Sequence, residues 1–347
     1  MIGNPTARRL LYAILIAGFV TACDSGQTSP AALDFLAPDI GESKPWTDGV
    51  FDAGDDKFTF AIHADLTGGE RDGVFAVAIE QLNMLRPEFI ISVGDLIEGA
   101  EDTAELDRQW DSFDERARRA RAPVFYVGGN HDRTGQLMQE VWQRRNGPGY
   151  YHFRYKDVLF LVFDTEDNSS ERMQEIQDAR QAALKFAAVD DWDAFNASEY
   201  ANLPENQGGN ITAAQSRYML DAINANSDVR HTFLFMHKAP WLREDLVAFT
   251  EIEDALADRP YTVFHGHVHS YQYQERKGRD YIRLATTGGV FLPETGRSMD
   301  HVTLVTVDDD GVDIANLLLE GILDKTGHIP LNGDELCFES TRCPDGQ

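Results

Sequence analysis

The sequence predicts an α/β fold in which mixed β-sheets carry their helices on the outside. Three observations predict it. In the first half, short apolar β-type runs alternate with stretches of helical spacing, and the C-terminal third is mostly closely spaced hairpin strands. Five strands end in clusters of Gly, Asp, Asn or His, and the carboxyl ends of strands are where α/β folds bind ligands. The 347 residues are 42% hydrophobic and 10% aromatic. That is enough for a well-filled core, in one large α/β domain or two, and excludes a disordered acidic tail protein or a collagen-like chain.

Fifty-eight Asp and Glu against 31 Lys and Arg give a net charge of −27. Such a surface repels phosphate backbones, so no nucleic-acid binding is expected, and it disfavours electrostatic docking on anionic lipid. Action on an anionic substrate therefore requires a local source of positive charge.

The elements follow in chain order. Arg8 and Arg9 precede an apolar run, Leu10 to Val20, of signal-peptide length, which ends in Val20-Thr21-Ala22-Cys23. Small residues before a cysteine resemble the lipobox of bacterial lipoproteins. The resemblance implies a signal peptide over 1–22, lipidation of Cys23, and an exported protein lipid-anchored to a bacterial membrane and facing the periplasm. Residues 23–50, rich in Ser, Pro, Gly, Ala and Asp, read as a flexible tether. Strands are expected at Phe58–Ala64, Phe89–Val93 and Val124–Val127, with helices at Val74–Leu85 and Ala104–Ala120 between them. Tyr150–Tyr155 and Val158–Phe163 form a hairpin around Lys156-Asp157. Residues 169–210 are polar and helical, an insertion or cap. Thr212 caps a helix over Ala213–Ile223. Strands then follow at His231–Phe235, Tyr261–Phe264, Ser270–Gln274 and Tyr281–Ala285. A last pair, Val302–Val307 and Val312–Leu319, turns at Asp308-Asp309-Asp310-Gly311. In an exported protein Cys337 and Cys343 are expected to form a disulfide that pins a C-terminal tail over 326–347, with two reduced thiols as the alternative.

The strand ends carry Asp65, Asp95, Asn130, His131, His237, His267 and His269. Carboxylate, amide oxygen and imidazole together suit borderline divalent metals such as Zn, Mn and Fe. His267 and His269, two apart in an extended loop, can face one pocket. A carboxylate shared between two metals would hold them ~4 Å apart, as in-line phosphoryl displacement uses them. Alone, each piece has a plainer reading: Gly-Asp as a turn, His237 and His63 as core histidines, Asp164 to Asp167 as a turn beside a further strand. The chain has neither a P-loop nor a Gly-x-Ser-x-Gly elbow.

Five pieces in order make the chain resemble the calcineurin-like metallophosphoesterase superfamily: Asp65-Leu66-Thr67, Gly94-Asp95-Leu96-Ile97-Glu98, Gly129-Asn130-His131-Asp132, Met236-His237 and Gly266-His267-Val268-His269. The resemblance implies a four-layer α/β/β/α sandwich over 51–325, two divalent ions, and hydrolysis of a phosphate mono- or diester by in-line attack of a metal-bound hydroxide. It implies that Asp95 bridges the metals, that Asp65 and His269 hold the first, and that Asn130, His237 and His267 hold the second. His131 would assist the leaving oxygen, oriented by Glu98 or by its competitor Asp132. Arg133 and Lys238 flank the motifs and either touch the phosphate or its ester group, directly or from behind the ligands, or stand on the solvated surface; His265 reads as a residue behind the ligands or a structural one. One departure stands out: the family's Asp-x-His has Thr67 in place of its histidine. The vacancy falls to water, to the Thr67 hydroxyl or to Glu70. It also admits the alternative of a catalytically impaired metal-binding or scaffold lipoprotein. The phosphoprotein-phosphatase Asp-Arg-Gly is absent; the chain reads Glu98-Gly99-Ala100.

Overall fold

The computed structural model describes residues 35–47 and 57–343. Two mixed sheets lie face to face. A five-stranded sheet is built on parallel neighbours β2 (Phe58–His63), β3 (Ile90–Ser92) and β4 (Val124–Phe125); antiparallel β11 (His301–Asp308) and β12 (Gly311–Leu318) extend it in the order β12-β11-β2-β3-β4. A seven-stranded sheet contains β1 (Phe35–Leu36), β5 (Tyr151–Tyr155), β6 (Val158–Val162), β7 (His231–Phe235), β8 (Tyr261–His265), β9 (Gln272–Arg276) and β10 (Arg279–Arg283). Its order is β1-β5-β6-β7-β8-β10-β9, with β6, β7, β8 and β10 parallel.

Between the sheets lies an aromatic core that includes Phe60, Phe89, Phe153, Phe160, Phe233 and Phe264. Continuous apolar runs such as Val158–Val162 (VLFLV) form strands buried on both faces, as sheets covered on each side require. The second face of β6 and β7 packs on helices Ala213–Ala225 and Val247–Ala255 through Leu159, Leu161, Leu234, Met219 and Phe249. Helices Val74–Leu85, Thr103–Ala117 and Gln136–Asn146 cover the five-stranded sheet, with Trp110 and Trp142 in T-shaped contact at 5.5 Å. The result is the expected α/β/β/α layering. Among the described residues no helix is long and apolar enough to cross a membrane.

The elements follow their sequence signals, and helices Gln136–Asn146 and Val247–Ala255 and the single turn Asn130–Arg133 are among those added. Gln136–Asn146 carries Met138, Val141 and Trp142 on its buried face, a 3.6-period pattern hidden between a motif and a hairpin. Val247–Ala255 buries Phe249, Ile252 and Glu253. Thr212 caps its helix as expected, its hydroxyl accepting from Gln215 N–H at 3.3 Å. The insertion forms helices Ser170–Ala187, Trp192–Asn196, Glu199–Asn202 and Pro204–Gly208 around a small core of Ile176, Ala183, Tyr200 and Leu203.

The tether needs correction. Residues 35–47 are docked: Phe35–Leu36 pairs with β5, and Tyr126 N–H donates to Pro45 O at 2.7 Å. Trp46 packs its ring 5.6 Å from Phe125 and 5.4 Å from Tyr151. Buried aromatic area and edge-strand pairing override a composition that reads as linker. Cys23 and the signal segment lie outside the described residues. In the tail, Cys337 and Cys343 are disulfide-bonded, with Cα atoms 5.5 Å apart.

Candidate metal centre

Parallel strands deliver the motifs to one end of the sandwich. Asp65, Asp95 and Asn130 follow β2, β3 and β4, and His237, His267 and His269 follow β7 and β8. Close backbone approach explains the motif glycines. A Cβ on Gly129 would lie 2.2 Å from Asp95 Oδ1, and one on Gly266 would lie 2.3 Å from Asp65 Oδ2. Asp95, His267 and His269 take left-handed backbone conformations, with φ of 56°, 78° and 53°. Such strain clusters at functional sites, held by the surrounding structure.

The donors form two groups that share one carboxylate. Ligand atoms of Asp95, His237 and His267 lie within 4.8 Å of one another, as do those of Asp65, Asp95 and His269. Asn130 Oδ1 joins the first group, 3.0 Å from His237 Nε2, which is 3.1 Å from Asp95 Oδ2. His237 Nδ1 donates to Val93 O at 2.9 Å, and His269 Nδ1 donates to Val290 O at 2.7 Å. Each neutral ring therefore turns an Nε2 lone pair inward, a tautomer that suits metal ligation. Asp65 Oδ1 accepts His267 N–H at 2.9 Å, while its Oδ2 is buried without a partner.

With His237 neutral, its Nε2 and the facing oxygens of Asp95 and Asn130 are all lone pairs and repel unless a metal ion, or a second proton on the ring, stands between them. The pKa directions express the same tension. Burial opposes charge on His237, yet Asp95 and Asp65 outweigh it and push the imidazole up to about 9. Burial drives Asp65 up and His267 well down. Carboxylates, an amide oxygen and inward imidazoles fit divalent transition ions.

His131 sits beside this cluster. Its Nδ1 donates to Glu98 O at 2.9 Å, which leaves Nε2 free. A Cβ on Gly68 would lie 3.7 Å from that Nε2 and 3.5 Å from His269 Nε2, so the glycine keeps the space between the two rings open. Burial lowers the His131 pKa, with Asp95 and Glu98 pulling it back and Arg180 adding to the fall.

The expected orienting acids act differently. The backbone carbonyl of Glu98 orients His131. Its carboxylate, 3.7 Å from Nδ1, accepts N–H bonds from Gly68, Gly69 and Glu70 at 2.8–3.1 Å. Asp132 is buried and turned away. It accepts from Leu96, Ile97 and Gly129 N–H groups at 2.8–3.1 Å, tying the Asp95 loop to the His131 turn.

Thr67 and Glu70 do not fill the missing ligand position. The Thr67 hydroxyl lies within 3.1 Å of both Asp95 O and Ile97 O. A hydroxyl has one proton, so it is held between two carbonyls of the neighbouring loop. Glu70 pairs with Arg116. Arg133 and Lys238 are buried supports: Arg133 pairs with Asp164 at 2.7 Å and Lys238 with Glu166 at 2.6 Å. His265 packs edge-on against Trp241 at 5.0 Å, and burial lowers its pKa to about 3, a structural role. His63 packs against Phe75 in the core. Sequence reasoning missed Arg180, from the insertion. Its signal was a charged residue at helical spacing from Ile176 and Ala183, on the apolar face.

The family profile described as calcineurin-like phosphoesterase matches residues 58–290. No match is found among curated protein sequences. Among solved structures, the anchor in the inner membrane complex of Plasmodium aligns with a TM-score of 0.42 and 12% identity over 80% of this chain and 87% of its own. A purple acid phosphatase from yellow lupin seeds aligns at 0.47 and 11% identity, covering 76% of this chain and 52% of its own. A Staphylococcus aureus protein assigned as a 5′-nucleotidase aligns at 0.44 and 15%, covering 80% and 57%. The chain thus spans little more than half the length of the lupin and staphylococcal proteins. With the profile covering all five motifs, the chain belongs to the calcineurin-like phosphoesterase family, metal-dependent hydrolases of phosphoric esters.

Proposed function

We propose that the chain hydrolyses a phosphate mono- or diester by in-line displacement at a dinuclear centre, and that it works outside the cytoplasm on a lipid at Cys23. In this reading Asp95 would serve both ions, Asp65 and His269 would hold one, and Asn130, His237 and His267 would hold the other. The observation that carries it is the pair of donor groups sharing Asp95 beside the free Nε2 of His131. Divalent ions held there supply positive charge for phosphate oxygens and activate water for attack. The protein's residues do the rest. His131, fixed by Glu98 O, presents Nε2 to the leaving oxygen and passes it a proton when charged. Asp132 and Thr67 pin the Asp95 loop so that its carboxylate stays aimed. The lipid anchor rests on Val20-Thr21-Ala22-Cys23.

Metal-free protein titrated with Mn, Zn or Fe and assayed on aryl phosphate mono- and diesters tests the reading. Hydrolysis that rises with bound metal is expected. Metal binding with no hydrolysis of either ester would favour the scaffold role. Labelling with radioactive fatty acid, lost in Cys23→Ala, checks the anchor.

A further inference from the structure

Arg180 lies on helix Ser170–Ala187 of the insertion and is only 6% exposed. Among the described residues it has neither a hydrogen bond nor an ion pair, whereas buried Arg133 and Lys238 each hold a carboxylate. Two nitrogens of Arg133 are sealed from solvent, but those of Arg180 are not among the sealed polar atoms and remain reachable.

Its neighbours on the helix fix where it points. Met173 and Gln177, seven and three residues earlier, share its face. Gly135 N–H contacts Met173 Sδ at 3.1 Å, and Gln177 Nε2 donates to Glu101 Oε1 at 3.1 Å. The segments at Gly99–Glu101 and Gly135 flank His131: a Cβ on Gly99 would lie 2.6 Å from His131 O. The helix thus lies across the two segments that frame His131, with Arg180 on the face it turns toward them.

A buried, unpaired guanidinium is costly and persists where a ligand completes it. Its planar fork matches phosphate oxygens two at a time. A phosphate monoester carries three non-bridging oxygens and nearly two negative charges at neutral pH; a diester carries two oxygens and one charge. We propose that Arg180 is a phosphate-binding residue brought by the insertion, which grips non-bridging oxygens of the phosphoryl group facing His131 and biases the site toward monoesters. This rests on the phosphoesterase reading above for the location of the phosphoryl group.

The test compares full-length wild type, Arg180→Met and Arg180→Lys, loaded with Mn. Inorganic phosphate binding is measured by calorimetry, and kcat/KM on an aryl phosphate monoester and a bis-aryl diester. Arg180→Met is expected to weaken phosphate binding and monoester kcat/KM roughly 10- to 100-fold, the range for hydrogen bonds to charged groups. Diester turnover should change no more than about threefold, and Tm should hold or rise because an unpaired buried charge is gone. Arg180→Lys should recover only part of the loss, since a point charge lacks the fork. Equal losses on both esters, or unchanged phosphate affinity with a lowered Tm, would overturn the proposal. Should wild type hydrolyse neither ester, the phosphoesterase reading fails, and phosphate binding that depends on Arg180 would still uphold the residue's role.

Discussion

The two halves of the centre share Asp95 but are built unequally. One half gathers Asn130, His237 and His267 around that carboxylate, with His237 locked by Val93 O. The other has Asp65 and His269, and the side chain at the family's second histidine position, Thr67, is turned into the loop. The first half thus offers two imidazoles and an amide oxygen, the second a single imidazole and an orphaned carboxylate oxygen. Imidazole favours borderline transition ions, so the poorer half should bind more weakly and exchange more readily. A change at an unshared donor such as the residue at 67 touches one group, whereas a change at Asp95 touches both.

Four measurements break or sharpen this contrast. Asp95→Asn should erase it, since both halves lose their common ligand: bound metal falls toward zero and activity drops on the order of a thousandfold or more, as several kcal/mol of charge stabilisation imply. Retention of two ions by that variant would refute the bridge. His131→Asn should leave the halves as they are. Its kcat should fall about 10²- to 10⁴-fold with metal content unchanged, as metal analysis beside kinetics would show.

Acid should loosen the Asp65 half from behind. His301 Nε2 accepts Ala285 N–H at 3.0 Å, and the adjoining Thr286 and Thr287 bond Asp65 O through Oγ1 and N–H at 2.7 and 2.9 Å. Burial, with Arg297, lowers the His301 pKa from 6.5 to about 4. A depressed imidazole pKa means the unfolded chain binds the proton more readily. The contribution is intact above pH 6.5 and is lost as pH falls toward 4, about 3 kcal/mol in all. Denaturant titrations of metal-free protein between pH 7 and 4 should lose stability more steeply, by that amount, in wild type than in His301→Gln; parallel curves would dismiss it.

The smallest effect belongs to Thr67→His, which restores the missing imidazole. Competition with a chelator should show tighter binding of the weaker ion, by at least the ~10-fold that even outer contacts contribute. Stability should fall, because the Thr67 hydroxyl bond to the 95–97 loop is lost. An unchanged weak ion would mean that the halves differ for some other reason.

Much of this was legible early. Strand runs and strand-end motifs are local patterns, and β-type alternation places Asp65, Asp95 and His237 without coordinates. The helix Gln136–Asn146 could have been read from its spacing. Other features were not legible, because they depend on what lies opposite. Glu98 matched an orienting acid by position, yet its carbonyl holds the ring while its carboxylate closes the 68–70 loop. Residues 35–47 have linker composition but meet an aromatic surface.

The sequence by itself determined the α/β class, the order of the motifs and the kinds of donor available, since these depend on side-chain chemistry and short-range periodicity. Only the tertiary structure decided that Asp95 stands in both donor groups, that Thr67 is withdrawn from the centre, and that the insertion helix carrying Arg180 packs on the segments at Glu101 and Gly135. These contacts join residues tens to hundreds of positions apart, and their geometry is set by how two sheets and a helix pack rather than by any local preference of the chain.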